Sequence, residues 1–506
     1  MALNNLTFNL GKSGLGRPLA GEDYISGLLF YSSVLPSGFS AGTRIKQFFS
    51  AADAITAGIL NDNSDATPAT ATYLITTLGG TTDSIKITVN EPFGVVNTIA
   101  NYAKVAGDTT IALLGASIAA AINANTNVTG YSASFSTATL TVTAPKKFGV
   151  FLNTGTPVTV TVVGTIAGTL TQFTGGAVSI FSVWYYHISE YFRLQPQGNL
   201  FVGIYPVPGS YTFTEITTMQ NFSNGKIRQI GVYKDAAAFA SADIQTIHAI
   251  CNASVLAHKE IIALYGADIS ATSDVSTLAD LSQLTSNYCS AVISQDGAAK
   301  GALLYLAYGK SITTLGATLG AVALATVSQS IAWVSKFNIS NGTECDVVAF
   351  ANGVLFSNAV VTDAYLTNMQ NMRYIFLRKF VGVAGSFFNE NSTAIATSSP
   401  YAYIADNRTI QKATRNIYAN LIQSLNGPIT LNADGTLSNE AIAYYTALAQ
   451  SPLNQMIRNG EISAQSVTIN STQNILATGI LTINVNIVQV ATGRNLNVNI
   501  GYVVSV

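Results

Sequence analysis

Two stretches near the C-terminus alternate apolar and polar side chains with a period of two. In the first, every second residue from Leu481 to Ile487 is apolar, with threonine or asparagine between. After a turn around residues 492–494, the second stretch repeats the pattern from Leu496 to Tyr502. This period is typical of β-strands whose two faces meet different surroundings. The sequence therefore predicts two terminal strands, with apolar positions that include Ile483, Val485, Ile487, Leu496, Val498 and Ile500.

The N-terminus carries a shorter version of this pattern. Leu6, Phe8 and Leu10 alternate with polar residues inside a stretch punctuated by glycine. We therefore expect residues 1–20 to form an extended arm, and residues 480–506 to form its counterpart at the other end.

Residues 68–176 differ in texture from their surroundings. Threonine- and valine-rich strands are predicted at 85–89, 139–143 and 158–163. Between them, an alanine-rich stretch predicts one helix over 109–123, with Asp108 or Thr109 as its cap. The pattern indicates a small α+β domain inserted into a larger one.

The flanking parts, residues 21–67 and 177–400, alternate strands and helices. Residues 44–60 have a helix-like opening. Strands are predicted at 200–205, 227–232, 260–265 and 291–294, and helices at 241–258, from about 277, and within 311–335. Such alternation is typical of an α/β layer on a mixed or parallel sheet.

Residues 401–479 predict a C-terminal α+β domain. Asp406 is the expected cap of a helix through Leu425, and Arg408, Lys412 and Arg415 lie largely off its apolar face. The apolar face consists of Ile410, Ile417, Leu421 and Leu425.

A second helix is expected to start at Ser438 and to end before Pro452, and Asn459-Gly460 should end the next one. The whole pattern predicts a multidomain chain of the α+β and α/β classes. It has a mixed-sheet core, an inserted domain, a C-terminal domain and extended terminal β-arms.

Charge is scarce along the chain. Only 10% of the 506 residues are charged and the net charge is -1, whereas soluble domains usually have roughly 25% charged residues. The balance excludes the basic surface of a nucleic-acid binder. Residues 311–335 carry no charge and contain Gly316 and Gly320, but polar residues interrupt them, so we expect a buried helix and no membrane insertion.

Candidate chemistry is sparse. The GxSxG motif at residues 38–42 places Ser40 after Pro36-Ser37 rather than after a clean buried strand. The candidate bases are His187, His248 and His258, and Cys251, Cys289 and Cys345 have no metal-site spacing. We expect buried free thiols, no enzyme activity, and no catalytic, cofactor or metal site. The N-terminus lacks a signal-peptide pattern, which favours folding in a reducing cytoplasm.

The terminal strands lack the protection that sheet edges usually have. From residue 462 to 506 the only charge is Arg494, and there is no proline. Either the two strands form a hairpin inside a sheet, or they and the N-terminal arm pair with neighbouring copies by strand addition. Contacts of the second kind need not close, and they then build a helical polymer.

The order of elements also resembles a known family. Residues 186–193 (YHISEYFR) precede a strand, an α/β middle follows, and residues 403–408 (YIADNR) open a long helix ahead of the terminal strands. Over roughly residues 15–60 and 177–506, this order resembles the contractile tail sheath proteins of bacteriophages and related injection systems. The insertion departs from the family core, and such extra domains often lie on the outer surface.

The resemblance implies a subunit that forms stacked hexameric rings around a tail tube and contracts to drive the tube through a cell envelope, as in genome ejection. The terminal arms would complete a neighbour's C-terminal sheet. The C-terminal domain would lie innermost, so Arg408, Lys412 and Arg415 are candidates for tube contact, with a solvated helix face as the alternative. Implied partners are further copies, the tube protein, and baseplate and neck or terminator proteins. The particle would be a phage virion or an injection device assembled in the bacterial cytoplasm.

Two other functions stay open from the residues. One is a different self-assembling protein, such as a surface-layer or adhesin subunit, against which the α/β middle and the missing signal peptide argue. The other is a soluble monomeric binding module.

Overall fold

A fully buried strand opens the described part of the chain, which the computed structural model gives as residues 23–234 and 238–502. The first elements are β1 (Ile25–Tyr31), β2 (Ile45–Phe48) and α1 (Ala51–Thr56). A strand thus replaces the helix-like opening expected at residue 44. The helix begins after Ser50, whose side chain accepts the N–H of Asp53 in a capping box. The predicted N-terminal arm, with Leu6, Phe8 and Leu10, lies outside the described residues.

Residues 68–176 contain two small antiparallel sheets and two α-helices, one of them only a single turn long. Their elements are β3 (Thr70–Thr77), β4 (Ser84–Asn90), β5 (Val96–Ala103), α2 (Ile111–Ala124), α3 (Thr126–Thr129), β6 (Ser132–Ser136), β7 (Thr139–Thr143), β8 (Val158–Val163) and β9 (Ala167–Thr174). The sheets have the orders β6-β7-β3-β9 and β5-β4-β8, and they share one hydrophobic cluster with α2. Thr67 and Ala177 pair their backbones, so the chain leaves and re-enters the core at adjacent points.

The cap of α2 differs from the prediction by one or two residues. The Thr110 side chain accepts the N–H of Leu113 at the start of the helix. The carboxylate of Asp108 instead accepts hydrogen bonds from the hydroxyl groups of Tyr102 and Ser117, at 2.8 and 2.7 Å. Its carboxylate therefore links α2 to β5 and does not cap the helix.

A six-stranded sheet forms the centre of the core. The elements of this region are α4 (Ile180–Leu194), β10 (Asn199–Tyr205), α5 (Glu215–Phe222), β11 (Gln229–Tyr233), α6 (Ser241–Leu256), β12 (Ile262–Gly266), β13 (Thr285–Ser286), β14 (Cys289–Val292), β15 (Ser294–Asp296), α7 (Lys300–Tyr308), α8 (Leu315–Leu324), β16 (Val348–Phe350), α9 (Asp363–Asn371), β17 (Leu377–Phe380), β18 (Val383–Phe388) and β19 (Ala394–Ile395). The strand order is β14-β12-β11-β1-β10-β2, and β2 is antiparallel to β10. Leu28 and Phe30 pack with α4 and α8 on one face, and Leu29 and Tyr31 pack with α5 and α6 on the other. The predicted mixed α/β character with several sheets is confirmed.

The helix expected from about Thr277 is wrong. Two short 3-10 helices, Val275–Thr277 and Leu281–Gln283, occupy this stretch. Asp274 and Asp280 precede them, and each carboxylate accepts the N–H two residues further on. Such local side-chain bonds compete with a continuing α-helix.

The glycines of residues 311–335 serve helix packing inside the chain. Only α8 is helical in this stretch, and it crosses α4 in close contact. A Cβ atom on Gly316 would lie 2.1 Å from the carbonyl oxygen of His187, and one on Gly320 would lie 2.6 Å from that of Tyr191. The two backbones touch because both positions lack a side chain.

The C-terminal unit has two long helices and a small sheet. Its elements are α10 (Ile404–Leu421), α11 (Asn439–Arg458), β20 (Ile462–Thr468), α12 (Ile475–Thr478) and β21 (Asn484–Gln489). Ser438 caps α11 as predicted, since its side chain accepts the N–H of Ala441. Pro452, however, lies inside α11, which continues to Asn459-Gly460. Proline cannot donate to the carbonyl of Leu448, and the Asn420 side chain of α10 donates to that carbonyl at 3.1 Å instead.

Candidate assembly surface

A two-stranded antiparallel sheet lies against the helices of the C-terminal unit. β20 pairs with β21, with Val467 opposite Val485 and Gln465 opposite Ile487. Ile462 and Val467 of β20 belong to the hydrophobic cluster with α10 and α11. Ile483, Val485 and Ile487 are partly buried against the same cluster.

Of the two alternatives left open by the sequence, a hairpin between the two terminal strands is not present in the described residues. β21, the first of them, pairs with β20, because the apolar face of β21 has a cover on the helices of its own chain. Ile483, Val485 and Ile487 were candidates for strand addition. Val485 and Ile487 lie in β21 of this intramolecular sheet, and Ile483 directly precedes it.

The second predicted strand is left without a partner in the described part of the chain. Residues 490–502 follow β21, and no strand of the described ranges pairs with them. Leu496, Val498 and Ile500 are 86%, 82% and 95% exposed, and Tyr502 is also fully exposed. We call residues 495–502 the terminal segment. Its apolar side chains and main-chain groups face solvent, an arrangement that strand pairing would satisfy.

Strand edges are available beside this segment. Within the described residues the sheet contains only β20 and β21, so each strand has one outer edge. Neither strand contains a charged residue or a proline, which are the usual means of blocking edge pairing. The structure thus brings together an unpaired strand-like segment and unprotected edges in one C-terminal unit.

The three candidate cations for tube contact lie on the buried side of α10. The sequence pattern had instead predicted that the apolar residues of this helix would form its buried side. Arg408 is only 3% exposed, and its guanidinium donates to main-chain carbonyls, including that of Asp23 at 3.2 Å. Burial lowers the pKa of Arg408 to about 10. Lys412 pairs with Asp23 at 2.7 Å and with Glu461, and Arg415 pairs with Asp23 at 2.6 Å.

These ion pairs hold the first described residue of the chain on the C-terminal unit. The side of α10 that meets the core carries mostly polar side chains, whereas Ile417 of the predicted apolar face is partly buried against the cluster with α11. Tyr403, not Asp406, is the N-cap residue. A tube contact through these cations stays a prediction, and in this conformation it would require the internal pairs to open.

A cluster of charged and aromatic residues, missed by the sequence reasoning, lies at the base of the terminal segment. Arg494 Nε donates to Glu390 Oε2 at 2.9 Å, and its guanidinium lies 3.5 Å from the centre of the Tyr403 ring. Arg373 lies over the same ring at 4.8 Å. Burial raises the pKa of Asp406 to about 6, an effect that Glu390 increases and the two arginines oppose. The one available signal was that Arg494 is the only charge after residue 461.

The serine and the histidines considered for catalysis occupy positions that turn geometry and ring packing explain. Ser40 is exposed in a turn, where its Oγ accepts the N–H of Thr43 at 3.1 Å. His187 is buried among aromatic rings, and burial lowers its pKa to about 3. His248 and His258 each stack on a tyrosine ring.

The described ranges hold neither a cluster of metal ligands nor a helix that could span a membrane. Across residues 23–234 and 238–502, no group of three or more His, Cys, Asp or Glu side chains is placed to hold a metal ion. Cys251, Cys289 and Cys345 are buried free thiols, as predicted. None of the helices in these ranges is long and apolar enough to cross a membrane.

Two family models match the chain. The model described as DUF2586, N-terminal domain, matches residues 53–392, and that described as DUF2586, C-terminal domain, matches residues 401–506. Glu390 and Tyr403 of the Arg494 cluster lie on opposite sides of the short gap between them. A search of the curated proteins returned no match.

The chain is also similar to solved structures of contractile particles. One is the helical sheath of the anti-feeding prophage in the contracted state, with 14% identity, coverage of 63% of this chain and 81% of that chain, and a TM-score of 0.43. Another is the sheath complex of the extracellular contractile injection system PVC, also contracted, with 13% identity, 63% and 80% coverage, and a TM-score of 0.41. A third is the baseplate of the anti-feeding prophage, with 12% identity, 62% and 80% coverage, and a TM-score of 0.41. Two of the three are sheath structures.

Proposed function

This chain belongs to the DUF2586 family, and from its own residues we propose that it is the structural subunit of a contractile sheath. The observation that carries the proposal is the exposed terminal segment, residues 495–502, beside a two-stranded sheet with open edges. The resemblance of its sequence to contractile sheath proteins gives the kind of polymer. In that polymer, the terminal segment of one copy adds a strand to the C-terminal sheet of the next.

Strand addition suits both properties of the segment. Main-chain hydrogen bonds satisfy its unpaired N–H and C=O groups, and alternate side chains reach the apolar face of the sheet. Leu496, Val498, Ile500 and Tyr502 all share one parity, so one face of the added strand would be apolar. The asparagines and Gly501 would then lie on the other face.

The energetic balance favours an extended assembly over isolated pairs. Burying four large apolar side chains contributes roughly 6–12 kcal/mol, at about 1.5–3 kcal/mol each. Ordering the backbone of eight residues costs about 8–16 kcal/mol, and the new hydrogen bonds offset only part of this cost. A single junction is therefore weak. Subunits held by several junctions at once assemble cooperatively, and a head-to-tail contact of this kind can repeat without closing.

Asp23 ties the start of the central core to the C-terminal unit. Asp23 is bound to α10 by Lys412 and Arg415, within the same C-terminal unit that carries the terminal segment. We propose that the two predicted terminal arms link neighbouring copies in stacked hexameric rings. The tube, baseplate and neck or terminator proteins are the further partners that this role implies. The inserted residues 68–176 would face outward.

The experiment is negative-stain microscopy of the purified full chain together with two variants. One variant ends at residue 490, which keeps β21 in place. The other keeps the full length but carries Leu496→Asn, Val498→Asn and Ile500→Asn. We expect hollow striated cylinders from the full chain and dispersed, folded particles from both variants, with unchanged circular dichroism.

Other outcomes decide against the proposal. Dispersed particles of the full chain at high concentration would contradict polymerisation, and flat lattices would instead indicate a surface-layer subunit. Cylinders from both variants would exclude the terminal segment as the link.

A further inference from the structure

Arg494 fastens the start of the terminal segment to the rest of the chain. Arg494 directly precedes it and is the only charge among residues 462–506. Its Nε donates to Glu390 Oε2 at 2.9 Å, and its guanidinium stacks on the ring of Tyr403 at 3.5 Å. Guanidinium groups combine both contacts in a way that a lysine ammonium does not.

The groups that receive Arg494 are themselves held in place. The Glu390 side chain is only 9% exposed and also accepts the N–H of Asn391 at 3.0 Å. The Tyr403 ring packs under Arg373, which is buried and donates to the carbonyls of Thr393 and Ala402. Arg494 therefore binds a preformed site at the junction between the regions matched by the two family models.

We propose that Arg494 is a positioning residue that fixes where and in which direction the terminal segment leaves its subunit. This role rests on the proposed function, since it selects which neighbouring sheet edge the segment reaches. The eight residues 495–502 span at most about 26 Å when extended. The acceptor edge of the neighbouring copy must therefore lie within that distance of Arg494.

Releasing the anchor would lengthen the free chain. Without it, the free part would begin after β21 at Val490 and, counted to the end of the terminal segment at residue 502, would comprise thirteen residues instead of eight. Effective concentration falls roughly as the −3/2 power of length, which gives about a twofold loss from length alone. Loss of direction adds to this loss, so the protein concentration needed for assembly should rise at least about twofold.

The test uses two measurements on full-length variants. A fluorescent probe on Val498→Cys reports the rotational freedom of the segment in unassembled protein, because the three native cysteines are buried. Light scattering gives the assembly threshold of the unlabelled protein. We expect Arg494→Gln and Glu390→Gln each to lower the anisotropy and to raise the threshold. The exchange Arg494→Glu with Glu390→Arg should restore part of both.

Arg458→Gln is the matched control. Arg458 is an exposed cation of the same unit, and it bonds only to Gln455 on its own helix in the contacts described. We expect it to change neither measurement. Unchanged anisotropy and threshold in Arg494→Gln would overturn the anchor and leave the proposed function intact. If the wild-type chain fails to assemble, the proposed function fails and the role of the anchor in assembly fails with it.

Discussion

Burial disfavours the charged form of Asp406 at neutral pH. Burial raises its pKa to about 6, above its ordinary value of 3.8, so the folded chain binds a proton more tightly than the unfolded chain. The resulting stabilisation is full below about pH 4 and is lost as the pH rises through 6.

This linkage predicts the effect of removing the charge. Asp406→Asn should raise the free energy of unfolding at pH 7.5 by about 1–2 kcal/mol, allowing for solvent screening of a partly exposed group. The difference from the wild type should shrink as the pH falls to 4, as measured by urea unfolding across that range.

Asp434 provides a comparison of opposite sign. Hydrogen bonds from the side chain and the N–H of Thr436 lower the pKa of Asp434. Asp434→Asn should therefore destabilise the chain at pH 7.5. A stabilising effect of the same size from both substitutions would contradict the linkage argument and would indicate a general charge effect.

At the level of elements, α11 depends on α10 for a hydrogen bond that its own backbone lacks. The Asn420 side chain donates to the Leu448 carbonyl that Pro452 leaves unpaired. We expect Asn420→Ala to lower the free energy of unfolding by about 1 kcal/mol. In a Pro452→Ala background the new N–H can serve Leu448, so Asn420→Ala should cost less. Equal costs in both backgrounds, measured by urea unfolding, would contradict this role.

The same contact shows why the sequence predicted some elements and not others. Strands β7 and β8 follow the alternation of their residues to the exact bounds expected, since one of their faces is buried locally. Pro452 indicated a helix end in the sequence. The side chain that replaces its missing N–H as a donor lies about thirty residues away, on another helix. The buried face of α10 was equally hidden, since it is polar and is satisfied by distant groups such as Asp23.

The candidate site, too, could be predicted from the sequence only in part. The alternation at residues 496–502 identified the exposed segment directly. It did not show that β21 pairs with β20, because both pairings have the same period and only the helices below β20 favour one of them. Arg494 was noticeable in the sequence as the single charged residue of its region. Its partners Glu390 and Tyr403, however, come close to it only in the folded chain.

At the level of the whole molecule, residues 68–176 form a hydrophobic cluster separate from those of the core. Their contacts with the rest include the N–H of Val150 on the carbonyl of Ala307 at 2.8 Å and Lys146 on Ser64. We expect replacement of residues 68–176 by a short Gly-Ser linker to leave a folded chain whose melting temperature is only modestly lower.

That excised chain should still form cylinders, with a smaller outer diameter in micrographs. Loss of the circular dichroism signal of the core would show that the insertion is required for folding. Cylinders of unchanged diameter would contradict its placement on the outside.

The backbone pairing of Thr67 with Ala177 has a practical consequence. A guest protein whose own termini are close together could be joined to two chain ends that lie side by side. The position is therefore suited to the insertion of another protein. A fluorescent protein spliced between these two residues would be displayed once per subunit, without interrupting the central sheet or the terminal segment. Such a label would make the protein, and any assembly that it forms, visible by light microscopy in living cells.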